Sequence, residues 1–124
     1  MAVVCREAGH ADGDALTEAT LNWPSGLAYD TGTDQLWIAD RASSCIRRLS
    51  RRTGKLSTVA GVCGESGSPP THFAAPVGLA LDLATSEGAG ELFVADTGNN
   101  LIRALPLNST HKTPAGELLQ IISR

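Results

Sequence analysis

Long apolar runs are missing from this 124-residue chain, the longest being only a few residues, which excludes a membrane-spanning helix needing about 20. The amino-terminal stretch carries Arg6 and Glu7 and lacks a basic patch followed by an apolar segment, so it does not read as a signal peptide. Positive charge is not in excess either. Ten Lys and Arg against 13 Asp and Glu leave a net charge of -3, which disfavours non-specific binding of nucleic acid. Three cysteines are too few for a disulfide scaffold and leave one over after any pairing. No segment keeps a helical period of apolar residues, and a chain of this length makes at most one small domain.

What the chain does have is an internal repeat. Trp23-Pro24-Ser25-Gly26-Leu27-Ala28-Tyr29-Asp30 recurs as Ala75-Pro76-Val77-Gly78-Leu79-Ala80-Leu81-Asp82, an offset of 52 from Pro24 to Pro76. Gln35-Leu36-Trp37-Ile38-Ala39-Asp40 recurs as Glu91-Leu92-Phe93-Val94-Ala95-Asp96, and Ile46-Arg47 as Ile102-Arg103, now at an offset of 56 from Asp40 to Asp96. The extra residues lie in the turn between the first two segments, where a repeat tolerates insertion. Each copy reads as four short strands separated by turn chemistry, at 26–29, 35–39, 45–49 and 56–60, then 77–81, 91–95, 101–105 and 118–122. Consecutive apolar residues in the early strands and mixed polarity in the later ones predict burial that falls along each unit, as in four-stranded sheets arranged radially.

The pattern Pro-x-Gly-Leu-Ala-x-Asp, then Leu92-Phe93-Val94-Ala95-Asp96-Thr97-Gly98-Asn99-Asn100 followed by Ile102-Arg103, and the Gly-x-Leu-x-Thr-Val-Ala-Gly stretch from Gly54 to Gly61 resemble the NHL repeat. That resemblance implies an all-β fold of four-stranded antiparallel β-propeller blades, usually six to a propeller. The chain divides into the tail of a preceding blade and a connecting loop (1–20), a first blade (21–63) and a second (64–124). This is an incomplete propeller, and it leaves two apolar faces to be covered by further blades, by a protein partner, or by two more copies in a homotrimer that closes a six-bladed ring. The first copy departs from the family pattern at Arg41-Ala42-Ser43-Ser44, which predicts a looser turn.

Cys45 opens the third strand and Cys63 follows the antiparallel fourth, so a bridge between them is sterically reasonable and closes a loop worth about 3 kcal/mol; free thiols in a reducing compartment are the alternative. Asp30, Asp40, Asp82 and Asp96 recur at strand ends, the position of turn-forming carboxylates that accept from nearby backbone amides. Arg47 and Arg103 recur as structural ion-pair or carbonyl-binding residues. Arg41, Arg47, Arg48, Arg51, Arg52 and Lys55 form a basic run that would suit RNA, as in some NHL propellers, but no aromatic lies among them to stack a base. The three histidines lack zinc spacing, no nucleophile sits beside a base, and Asn108 heads a glycosylation triplet that matters only in a secreted chain. The expected role is a non-catalytic interaction scaffold without a cofactor, presenting loops 62–74 and 83–90 to a partner. The alternatives are blades of a lyase- or lactonase-like propeller with a channel metal, or an RNA-binding surface.

Overall fold

The computed structural model describes residues 7–83, 90–107 and 120–122, the last three by backbone alone. A two-residue strand, β1 (Gly13–Asp14), precedes the first blade, formed by β2 (Pro24–Asp30), β3 (Gln35–Asp40), β4 (Cys45–Ser50) and β5 (Lys55–Gly61). The second blade comprises β6 (Leu79–Asp82), β7 (Gly90–Asp96), β8 (Leu101–Leu107) and β9 (Gln120–Ile122). Both sheets are antiparallel meanders, ordered β1-β5-β4-β3-β2 and β6-β7-β8-β9. The expected strands are present in the expected order, and β1, which pairs Gly13 with Leu56 and Asp14 with Lys55 on the outer edge of the first blade, has no counterpart in the repeat.

The turn between the second and third strands of each blade is a short 3-10 segment, Arg41–Ser43 or Thr97–Asn99. Each ends on a left-handed residue, Ser44 at φ 56° and Asn100 at φ 57°, which polar side chains tolerate better than most. The divergent sequence at residues 41–44 therefore leaves the turn unchanged, against the looser one expected.

Burial does not fall from the inner strand outward. Leu27 is 59% exposed and Tyr29 44%, while Trp37, Ile38, Ala39 and Ile46 are buried. The first strand has a hydrogen-bonded neighbour on one side only, whereas β3 and β4 are flanked in the sheet and covered on both faces.

Register assigns the two faces of each blade. Leu36, Ile38, Arg47, Leu49 and Leu56 share one side of the first blade, and Trp37, Ala39, Ile46 and Ala60 the other. The first of these, here called the leading face, looks toward the preceding segment, and Leu49 and Leu56 there are covered by Ala15, Ala19 and Leu21. The second, the trailing face, meets Phe73, Leu92, Val94, Leu105 and Leu107 of the second blade in the larger core. Of the two faces expected to be bare, one is covered by the chain itself.

Backbone closeness fixes the blade junction. A Cβ on Gly26 would come within 2.2 Å of the Val77 carbonyl oxygen, whereas one on Gly78, its repeat counterpart, would meet, among the described residues, nothing nearer than the Ala95 Cβ at 3.7 Å. Gly26→Ala is expected to cost about 1 to 3 kcal/mol by overpacking, and Gly78→Ala less than about 0.5 kcal/mol, read as midpoint shifts in thermal unfolding.

Candidate functional site

The recurring charges are consumed by the fold. Asp40 accepts from the Asn22 amide at 2.7 Å through one carboxylate oxygen and from Arg47 at 2.9 Å through the other. Asp96 does the same with the Ala74 amide at 2.8 Å and Arg103 at 2.7 Å. All four side chains are fully buried. Each arginine then reaches across to the loop before its blade: Arg47 donates to the carbonyls of Thr20 and Ala11 and to Asp12, and Arg103 to those of His72 and Pro70. The Arg103 guanidinium also lies 4.0 Å from the centre of the Phe73 ring, a cation–π contact. Burial pulls Arg103 below its ordinary range, and Asp96 opposes that shift.

Asp40 and Asp96 thus differ from the local turn role expected of them, because their amide partners lie 18 and 22 residues away in sequence. Asp30 does shape its own turn, accepting from the Gly32 amide and the Thr33 hydroxyl. Asp82 ends β6 opposite Glu91. Cys45 and Cys63 form the disulfide, with Cα atoms 5.1 Å apart. Asn108 lies outside the described residues, as do residues 84–89 of the second loop proposed for display. Loop 62–74 is tied down by Gly64 to Ser43, Gly67 to Phe73 and Asn99 to Gly67, while Glu65, Ser66, Ser68, Pro70 and Thr71 stay exposed.

The basic run does not assemble. Arg47 is buried in its latch and so leaves the surface patch. Arg48 lies 5.6 Å from the Trp37 ring, lowered in pKa by burial. Arg51 pairs with Asp34 at 3.2 Å and sits over Tyr29. The phenol of Tyr29, donating to Asp34, is raised above its usual range by that hydrogen bond. Arg41 and the group of Arg51, Arg52 and Lys55 flank opposite ends of β4, about 17 Å apart for a six-residue strand.

The residue that sequence reading passed over is Trp23. It is 72% exposed and adopts φ 54°, a left-handed conformation rare for a bulky side chain. Its counterpart Ala75 has φ 47°, so the backbone shape belongs to the repeat and the indole does not. The turn is held from outside: the Asn22 carbonyl accepts from the Ala42 amide at 3.0 Å, as the Ala74 carbonyl accepts from Gly98 at 2.7 Å. The substitution of Trp for Ala between aligned copies was the available signal. Leu27 and Tyr29 of β2, and Val77 before β6, are also exposed.

The two latches are unequal, since among the described residues Arg47 has a second carboxylate in Asp12 and Arg103 has Asp96 alone. Asp96→Ala is expected to lose about 3 to 5 kcal/mol by stranding a buried cation, and Asp40→Ala clearly less, as measured by chemical denaturation.

Comparison with known proteins places this arrangement. The NHL repeat family matches residues 21–49. NHL repeat-containing protein 2 of Bos taurus is 32% identical over 106 residues, covering 82% of this chain and 14% of that protein. An auxiliary nutrient binding protein from Bacteroides ovatus ATCC 8483 aligns with a TM-score of 0.53 at 21% identity, covering 74% of this chain and 24% of that one; that likeness concerns the fold. The chain spans about a seventh of the first relative's length.

Proposed function

Because the chain belongs to the NHL-repeat propeller family, we propose that it is an interaction scaffold that performs no catalysis of its own and holds a protein partner through the end of the first blade that carries Trp23. The observation that carries this reading is an aromatic side chain that the fold does not need. Trp23 occupies a backbone conformation that costs about 1 to 3 kcal/mol for such a residue, yet leaves its ring in water. Tryptophan is the side chain most enriched among residues that dominate protein interfaces. Around it the blade is rigid, since the buried charges at Asp40 and Arg47 are spent on fastening loops, and a rigid mount lowers the entropy lost on binding.

Trp23→Gly separates folding from binding. It removes the ring and relieves the left-handed strain, so the variant should unfold at a temperature no lower than the parent, with a gain of up to about 1 kcal/mol. A partner recovered by chemical cross-linking to the parent chain should bind the variant at least about tenfold more weakly. A partner bound equally well by both chains would overturn this reading.

A further inference from the structure

Two substitutions distinguish the entry end of the first blade from the same end of the second, and they face each other. The Asn22 carbonyl accepts from the Ala42 amide and Pro24 pairs with Asp40, so Trp23 stands opposite Arg41. In the second blade the Ala74 carbonyl accepts from the Gly98 amide and the Val77 amide donates to the Ala95 carbonyl, which sets Ala75 opposite Thr97. The backbones agree. Trp23 and Ala75 have φ of 54° and 47°, and the 3-10 turns that begin at Arg41 and Thr97 end on left-handed residues at φ 56° and 57°. One frame thus carries Ala and Thr in one blade, and Trp and Arg in the other.

Neither replacement serves the frame. Thr97 donates its hydroxyl to the Ala95 carbonyl at 3.4 Å, a bond with no equivalent at Arg41. Among the described residues the Arg41 guanidinium makes no ion pair and lies over no aromatic ring. Both side chains stand in water, while the backbone beneath them is held. The Asn22 amide donates to Asp40 at 2.7 Å, the Gly64 amide to the Ser43 carbonyl at 2.8 Å, and the Ala75 amide to the Ser44 hydroxyl at 3.3 Å. Of the basic run, Arg41 alone keeps its charge unspent at this end: Arg47 is buried, Arg48 lies over Trp37, and Arg51, Arg52 and Lys55 stand at the other end of β4.

Resting on the reading of this end as the interaction site, we propose that Trp23 and Arg41 form a two-pronged site for an acidic peptide segment, the indole covering a large apolar side chain and the guanidinium holding an Asp or Glu one or two positions away. An extended segment advances about 3.4 Å per residue, which brings neighbours of that spacing to two side chains mounted across from one another. An exposed ion pair contributes little by itself. Contact with the indole sheds water around it, and the planar guanidinium grips a carboxylate through two parallel hydrogen bonds. Nucleic acid offers a base to the ring and a phosphate to the cation, but its affinity is built from many phosphates. A single unspent cation on a chain of net charge -3 matches a single carboxylate.

Selection of random linear peptides on the chain, followed by titration of the Trp23 indole N–H signal, tests this, with buried Trp37 as internal control. Selected peptides should carry Asp or Glu within two positions of a large apolar residue. Replacing that acid by its amide should weaken binding at least about tenfold. The Arg41→Thr variant, which takes the residue of the same turn in the second blade, should bind acid and amide forms equally, and Trp23→Gly should weaken both. A failure to select any peptide, selected peptides without an acid, or an undiminished preference for the acid in Arg41→Thr would each overturn the proposal. Tighter binding of a single-stranded RNA of about ten nucleotides at the same indole would overturn it as well. Weakened binding in Trp23→Gly with no effect of Arg41→Thr would leave the interaction end standing and remove the acidic partner, whereas binding indifferent to Trp23→Gly would remove both.

Discussion

A charge with no access to water must be answered inside the protein, and each blade turns that requirement into a fastening. Arg47 and Arg103 are fully buried, and each is neutralised by the aspartate that ends the neighbouring strand, two positions beyond the residue with which the arginine pairs. The same aspartate holds an amide of the loop before its blade, and the arginine holds that loop's carbonyls. Removing Asp96 strands Arg103 in a medium of low polarity, while Arg47 without Asp40 would keep Asp12. Strand pairing, turn geometry and blade junction all converge on this point, since the loop must arrive in one position to satisfy it. A polar group here orders the segment that hydrophobic contact alone would leave free to slide.

Much of this was legible because the chain repeats. The offset of 52, then 56, located the strands, their pairing and the turn that tolerates insertion, and antiparallel pairing placed Cys45 beside Cys63. Three things were not legible, each for a physical reason. The loop at residues 10–20 has no counterpart in the other copy, so no comparison marked it as structured. The partners of Asp40 and Asp96 lie far along the chain, and a carboxylate at a strand end looks the same whether it serves its own turn or a distant loop. Inner-strand burial was overestimated because an apolar sequence does not reveal that its far edge lacks a neighbour.

Two features stand out on the surface of the described residues. The indole of Trp23 stands out at one end of the first blade, and an apolar hollow lies open on the second. The cations that cluster in sequence separate in space, some stacked on aromatic rings and one withdrawn into the interior. Proximity along a strand-rich chain is a poor guide to proximity on its surface, because successive side chains point to opposite faces.

The disulfide bears on how the two blades share mechanical load. Cys63 lies two residues after β5, where the linker to the second blade departs, and Cys45 is the first residue of the fully flanked strand β4. Tension pulling the second blade away would, without that bond, peel β5 from its neighbour one hydrogen bond at a time, the weakest way to load a sheet. With it, traction bypasses β5 and enters the centre of the blade, where several ladder bonds must shear together before anything yields.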